Sequence, residues 1–115
     1  MAEQTIPLDQ YGSVTLDANG QGTVTLGPAK PNERWEIQSV AVSVSSNTNE
    51  PMAKCYRDIV SQTALIGGTY SGSFDYDSAF NYTVFPGRKL VVQWTGGDIG
   101  ATASVRISGN DVFTR

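Results

Sequence analysis

Short segments in which apolar and polar residues alternate recur along the chain, and turn-forming residues separate them. Residues 13–18 (SVTLDA) and 23–26 (TVTL) both show this alternation. Alternation with a period of two is the pattern of a strand that buries one face. The intervening residues 19–22 (NGQG) suit a tight turn, because asparagine and glycine tolerate positive φ. The pattern therefore predicts a first hairpin made of these two strands.

The longest strand pattern covers residues 34–45 and changes phase in its middle. Trp35 and Ile37 share one face, whereas the valines from Val40 onward fall on the opposite parity. A phase change of one residue predicts a β-bulge near residues 38–39. The alternative is a strand that is buried on both faces.

Five further segments predict strands, and one predicts a helical turn. The alternation in residues 54–60 does not indicate which face of the strand points inward. Residues 61–65 favour a single helical turn, which is broken by a turn at residues 67–68. Pro86 and Gly87 suit a β-turn, because proline presets φ and glycine accepts the left-handed conformation. The other predicted strands are 69–74, 82–85, 90–95 and 101–108, with a turn at 96–100, and residues 109–111 are expected to close the fold.

About eight short strands at intervals of roughly 8–12 residues are typical of a β-sandwich or barrel. Most strands have one apolar face and one face rich in serine and threonine, as antiparallel sheets with one wetted side require. We therefore expect an all-β chain with a single antiparallel β-sandwich, jelly-roll-like or immunoglobulin-like. The sandwich is predicted to span residues 13–111, and residues 112–115 are predicted to be a C-terminal tail. Residues 1–12 are either an N-terminal arm that packs on a neighbouring subunit or an edge segment.

Composition and charge narrow the classes of function. The chain has 115 residues, of which 39% are hydrophobic and 17% charged, and its formal net charge is −3. A negative balance argues against binding to nucleic acid or to an anionic membrane. No segment is apolar enough for a transmembrane helix, and no secretory signal is visible, so we expect synthesis in the cytoplasm.

Residues suited to catalysis are scarce. Histidine is absent, which removes the usual general base and the commonest transition-metal ligand. The single cysteine, Cys55, is expected to be a small apolar core residue rather than a nucleophile. Asp75 and Asp77 form the nearest approach to a carboxylate pair, but a solvated loop explains them better. We expect no catalytic, cofactor-binding or metal-ligating residue, no cofactor, and no enzymatic activity.

Aromatic residues are concentrated between residues 70 and 85. A small core cannot take all of them, and exposed aromatic rings on a sheet serve as interface anchors or as platforms for sugar stacking. Three interpretations stay open: core packing, a subunit interface and a carbohydrate platform. The residues concerned are Tyr70, Phe74, Tyr76, Phe80, Tyr82 and Phe85.

Several segments over the last two-thirds of the chain resemble small β-sandwich accessory virion proteins of tailed bacteriophages that infect actinobacteria. The resemblance implies an accessory structural role on the particle, as a capsid decoration or minor tail protein, and it brings no catalytic residues. The segments are 35–45 (WEIQSVAVSVS), 55–58 (CYRD), 68–72 (GTYSG), 85–87 (FPG), 90–97 (LVVQWTGG) and 100–109 (GATASVRISG).

The first hypothesis is a virion structural protein, bound to the outside of the capsid or tail and assembled with other virion proteins. Unpaired strand edges are aggregation hazards, so a closed homo-oligomer is expected, and the resemblance favours a trimer. Localisation would be the virion. The candidate interface residues are Ile6, Leu8, Tyr11, Tyr70, Tyr76 and Phe80.

The alternative hypothesis is an adhesion module that binds host surface polysaccharide. Tyrosine rings would stack on sugars, while carboxylate and amide groups would hydrogen-bond to the hydroxyl groups. The candidate residues are Tyr70, Tyr76, Tyr82, Asp75, Asp77 and Asn81.

Overall fold

The computed structural model describes residues 3–45, 48, 51–69 and 82–114. In this part of the chain, eight strands and one short 3-10 turn follow one another. The strands are β1 (Glu3–Thr15), β2 (Gly22–Leu26), β3 (Glu33–Val44), β4 (Met52–Arg57), β5 (Leu65–Thr69), β6 (Tyr82–Val84), β7 (Leu90–Thr95) and β8 (Thr102–Thr114), and the 3-10 turn is Gln62–Ala64.

The strands form two antiparallel sheets of four strands each. The strand order is β1-β8-β3-β6 in the first sheet and β2-β7-β4-β5 in the second. Only β4 and β5 are neighbours both along the chain and within a sheet. This is the order of a jelly roll, in which successive strands alternate between the two sheets except at the central pair, here β4 and β5. The expected antiparallel sandwich is confirmed, and its strand order is that of a jelly roll rather than of an immunoglobulin domain.

The predicted first hairpin is wrong, because β1 and β2 lie in different sheets and pair with β8 and β7. The turn itself forms: the Oδ1 atom of Asp17 accepts the N–H groups of Asn19 (2.8 Å) and Gln21 (3.1 Å). Beyond it the chain crosses between sheets, and the carbonyl of Gly20 accepts the N–H of Gly97. Alternation predicts which face of a strand is buried, but it carries no information on the partner strand.

The core lies between the two sheets and is made of the inward-facing positions of both. Burying each large aliphatic side chain stabilises the fold by about 1.5–3 kcal/mol, and the indole rings contribute more area. The largest fully buried side chains are Trp94, Leu16, Ile37, Leu90, Ile107, Val40, Val84, Val92 and Val105.

The predicted β-bulge in β3 is confirmed. Ile37 lies opposite Gly109 of β8, whereas Ser39 lies opposite Ser108, so Gln38 is the extra residue. Gly109 has a φ of +156°, and a Cβ atom there would collide with the carbonyl oxygen of Glu36. Residues 109–111, which were expected to close the fold, continue β8 as far as Thr114, and the glycine permits the close approach of the bulged strand.

Both ends of the described chain belong to the first sheet. Residues 3–12 are part of β1, an edge strand that pairs with β8 along its whole length. β8 continues to Thr114, so residues 112–114 are sheet rather than the expected tail. Val112 is buried on the outer face of this sheet, directly between Thr5 of β1 and Arg34 of β3. Arg34 forms ion pairs with Glu3 on β1 and with Glu36 on its own strand, and the pair with Glu3 spans β8, which lies between β1 and β3.

β4 is buried on both faces, which explains why its sequence pattern did not indicate which face points inward. Cys55 belongs to the main core, whereas Tyr56 packs with Val91 beneath Ala64 of the 3-10 turn. The predicted helical turn is thus confirmed as a cover for the outer face of the second sheet. Residues 67–68, expected to be a turn, lie inside β5. Most of the strand predicted at residues 69–74 lies outside the described residues.

Candidate functional site: a cleft between β4 and β6

Exposed large apolar side chains are concentrated on one side of the sandwich. Ile59 and Val60 follow β4, Leu65 begins β5, and Phe85 follows β6. Ile59 and Phe85 line a cavity of about 640 Å³, which we call the β4–β6 cleft. Its lining residues are Arg57, Asp58, Ile59, Thr63, Ala64, Tyr82, Thr83, Phe85 and Arg88.

A tight turn after β6 places two of these residues at the cleft. The N–H of Arg88 donates to the carbonyl of Phe85 (3.0 Å), and Gly87 has a φ of +79°. Proline at the second position and left-handed glycine at the third are typical of a type II turn, so the turn predicted at residues 86–87 is confirmed. The turn fixes the backbone that carries Phe85 and Arg88.

Asp58 joins the end of β4 to this turn. It adopts a left-handed conformation with a φ of +69°, which aspartate tolerates better than most residues. Its Oδ1 atom accepts the backbone N–H of Lys89 (2.9 Å), and its Oδ2 atom accepts a hydrogen bond from Nη1 of Arg88 (2.8 Å). The hydrogen bond from Lys89, assisted by Arg88, holds the pKa of the Asp58 carboxyl below its ordinary value, although partial burial opposes this shift.

Tyr82 and Arg57 form the wall of the cleft on the sandwich side. Tyr82 begins β6 opposite Ile37 and packs partly against the core. Burial raises the pKa of its phenol above the ordinary value, and the charges of Arg57, Asp58 and Arg88 all act on it. Arg57 ends β4 with an exposed side chain, and it has no ion pair within the described residues. A second cavity of about 170 Å³, which Arg57 and Tyr82 also line, extends the cleft towards β5.

The cleft is suited to binding rather than to covalent chemistry. Asp58, the carboxylate among the described lining residues, is already engaged by Arg88 and Lys89. The remaining polar groups in its lining are guanidinium and hydroxyl groups, which hydrogen-bond to ligands but provide no activated nucleophile. Guanidinium groups bind carboxylates and phosphates in a two-pronged geometry.

A pair of acidic residues lies at the same end of the sandwich. Glu33 is only 7% exposed, and its Oε1 atom accepts the N–H groups of Ala29 (3.1 Å) and Lys30 (3.3 Å). Asp111 lies beside Trp35 in register, and its Oδ1 atom is buried with no hydrogen-bond partner among the described residues.

The protonation of each carboxyl group depends on that of the other. Burial, reinforced by the neighbouring Glu33 carboxylate, raises the pKa of Asp111 to about 6. Burial also acts to raise the pKa of Glu33, but hydrogen bonds from Asp111 and from the N–H groups of Lys30 and Ala29 keep it below its ordinary value. The pair therefore shares one proton at mildly acidic pH, with Glu33 charged and Asp111 neutral.

The structure separates the residues that the sequence analysis grouped as interface candidates. Leu8 is only 3% exposed and packs in the core of its own chain, so it offers no interface surface. Ile6 and Tyr11 are exposed, but they lie at positions of opposite parity on β1 and so on opposite faces of the sheet. Tyr11 packs against the guanidinium of Arg106, 5.3 Å from its ring centre. Tyr70, Tyr76 and Phe80 lie outside the described residues.

Of the carbohydrate candidates, Tyr82 alone lies within the described residues, and it lines the β4–β6 cleft. Asp75, Asp77 and Asn81, like Tyr70 and Tyr76, lie outside them. Arg57, Asp58 and Arg88 were not among the predicted site residues. The local signal for this site in the sequence is the turn at Pro86 and Gly87.

Cys55 occupies the core position expected for it. Its side chain is 4% exposed, and burial raises the pKa of its thiol to about 11. Across the described ranges, no group of three or more acidic, cysteine or histidine side chains is arranged to hold a metal ion. The part of the chain that the structure covers contains no helix with the length and apolar character needed to span a bilayer.

No protein-family model matches the chain, and no curated protein sequence matches it.

Proposed function

We propose that the chain is a non-enzymatic accessory structural protein of a bacteriophage particle, a capsid decoration or minor tail protein that attaches through the β4–β6 cleft. The observation that carries the proposal is the exposure of the apolar side chains of Ile59 and Phe85 in this cleft, with Leu65 exposed in the cavity that adjoins it. Large exposed apolar patches with a polar surround mark surfaces that bind other proteins. The resemblance to accessory virion proteins is the reason for proposing a bacteriophage particle as the structure to which the chain attaches. Jelly rolls are also common in capsid proteins, but that analogy of fold is the weaker support.

Sedimentation with particles assembled without the protein tests the proposal. The wild-type chain is expected to co-sediment with the particles, because the apolar surface around the cleft is buried on attachment. A variant with Ile59→Ser and Phe85→Ser should remain in the supernatant. Ile99→Ser is the matched control, because Ile99 is 74% exposed in the turn before β8, outside the cleft lining. Failure of the wild-type chain to bind, or equal binding by the double variant, would contradict the proposal.

We also propose that the chain forms a closed homo-oligomer, a trimer, in this role. β1 is an edge strand of 13 residues, and a free edge of this length is protected in most proteins by an oligomer or by charged and proline residues. Size-exclusion chromatography with light scattering measures the mass directly. A monomer at the concentration used for particle binding would contradict the oligomer without contradicting attachment.

The second candidate function is binding of host surface polysaccharide in the same cleft. Its volume of about 640 Å³ is similar to that of small-ligand sites, and it places the phenol of Tyr82 beside hydrogen-bonding groups. Calorimetric titration with fragments of host cell wall polysaccharide tests this alternative. Heat that saturates for the wild type and disappears in Tyr82→Ala would support it, and no binding at millimolar sugar would exclude it.

A further inference from the structure

The β4–β6 cleft is locally cationic although the chain as a whole is acidic. Among the described residues, Arg57 and Arg88 line it against the carboxylate of Asp58, whereas the formal net charge of the chain is −3. A concave surface of one sign raises the local concentration of ligands of the opposite sign. The occupant that fits such a cleft carries negative charge.

Arg57 is the group best placed to hold that charge. Arg88 already contributes one hydrogen bond to Asp58, whereas Arg57 has no ion pair within the described residues. A guanidinium presents five N–H donors in a fixed fork, which matches a carboxylate in a two-pronged geometry. Thr63 also lines the cavity, and its hydroxyl group shares a hydrogen bond with that of Ser61 (3.0 Å).

The apolar rim adds a second requirement on the occupant. Ile59 is 64% exposed and Phe85 is 59% exposed, and both line the cleft together with Arg57. A bare phosphate or a highly hydrated sugar would leave these side chains in water, whereas an apolar side chain would bury them. The two requirements together favour a peptide in which a carboxylate and an apolar side chain are neighbours.

The binding surface is already organised before a partner arrives. Asp58 fixes the turn that carries Arg88, and Pro86 restricts the backbone next to Phe85. Binding therefore orders few additional groups on this side of the interface, which lowers its entropic cost.

We propose that the β4–β6 cleft binds an acidic peptide segment of the protein on which this chain assembles, with a carboxylate on Arg57 and an apolar side chain against Ile59 and Phe85. This inference rests on the proposed function, since it names the chemistry of the attachment partner. Charge complementarity and the apolar rim are the two observations that carry it.

Fluorescence anisotropy with a labelled peptide of sequence DFDLEF tests the inference against the isosteric amide peptide NFNLQF. The wild-type chain should bind the acidic peptide at least roughly tenfold more tightly than the amide peptide, and added salt should weaken the binding. Arg57→Gln keeps the length of the side chain but removes its charge, and it should weaken binding of the acidic peptide by roughly tenfold or more. Circular dichroism checks that the variant is folded.

Arg106→Gln is the matched control, because Arg106 is an exposed arginine on β8, outside the cleft lining, where it pairs with Asp9. Its affinity for the acidic peptide should equal that of the wild type. Three results would overturn the inference: no binding of the acidic peptide at millimolar concentration, equal affinity for the amide peptide, or no effect of Arg57→Gln. Binding of an oligogalacturonate through Arg57 without binding of the peptide would overturn it in favour of an anionic glycan.

The particle assay separates this inference from the proposed function. If the wild-type chain and Arg57→Gln sediment equally well with particles, the proposed attachment to the particle is supported, and the proposal that Arg57 binds an acidic segment of the partner is wrong. If the wild-type chain does not sediment with particles but binds the acidic peptide through Arg57, the peptide-binding site in the β4–β6 cleft is supported, and the proposed role in the virion is wrong.

Discussion

Asp58 and Lys89 are joined by a reciprocal pair of hydrogen bonds. The backbone N–H of Asp58 donates to the carbonyl of Lys89, and the backbone N–H of Lys89 donates to the carboxylate of Asp58, each over 2.9 Å. The first bond continues the pairing of β4 with β7 by one residue beyond Arg57 and Leu90. The second ties the side chain to the turn that carries Arg88. One residue therefore sets both the end of β4 and the mouth of the cleft.

Replacing Asp58 by alanine should destabilise the fold by about 1–2 kcal/mol, because a charged hydrogen bond is lost and alanine tolerates left-handed backbone poorly. Urea denaturation measures the loss. Asp58→Asn keeps an acceptor and tolerates positive φ, so it should cost less than alanine. Asp9→Ala is the control: Asp9 pairs with Arg106 at an exposed site, where an ion pair contributes little. Equal losses at the two positions would contradict the role assigned to Asp58.

The bulge opposite Gly109 predicts a large difference between two glycines. Gly109→Ala places a methyl group against the carbonyl oxygen of Glu36, so backbone must move, and we expect a loss of about 2–4 kcal/mol. Gly87→Ala is the control, because Gly87 also has positive φ but a Cβ there meets nothing within 4 Å. Its cost should be near 1 kcal/mol, from backbone strain alone. Thermal unfolding of both variants measures the difference, and equal shifts in Tm would count against the packing argument.

The raised pKa of Asp111 predicts a contribution to stability that falls as pH rises. The pKa of Asp111 is raised to about 6 in the folded state, against an ordinary value of 3.8. The folded state therefore holds the Asp111 proton more tightly than the unfolded state. Its stabilising effect is complete below about pH 4, is lost as pH rises to about 6, and then stays constant. Lys30, which lies over Phe113 on the same end of the sandwich, opposes the shift.

Comparison with Asp111→Asn isolates this effect from the other carboxyl groups. The variant should gain on the order of 1–2 kcal/mol relative to the wild type between about pH 4 and pH 8, because its amide stays neutral. Glu33→Gln removes the neighbouring charge and should also flatten the pH dependence. Urea denaturation across this range measures the stability of each protein. A constant difference between the wild type and Asp111→Asn at all pH values would show that Asp111 does not hold the proton.

How far the sequence predicts this molecule depends on the range of each interaction. The bulge at Gln38 and the turn at Gly87 are local features. The phase change in the apolar–polar alternation predicted the bulge, and the proline and glycine predicted the turn. The pairing of β1 with β8 joins the two ends of the chain, and alternation cannot encode it. The same limit applies to the site, because Asp58 and Arg88 are 30 positions apart and meet through the ladder of β4 on β7. Glu33 and Asp111 likewise meet only because β3 pairs with β8.

Cys55 is expected to be inert in the native protein. Its thiol is buried in the core and its pKa is raised to about 11, so almost none of it is thiolate at neutral pH. Labelling by iodoacetamide should require unfolding of the strand pairs around β4, and it should be at least about a thousandfold slower than in urea. Mass spectrometry follows the reaction. Ile99→Cys adds an exposed thiol in the turn before β8 and should be labelled rapidly at that position alone. Rapid modification of Cys55 in the folded wild type would show that β4 opens without global unfolding, and the same opening would release Arg57 and Asp58 from the geometry on which the cleft depends.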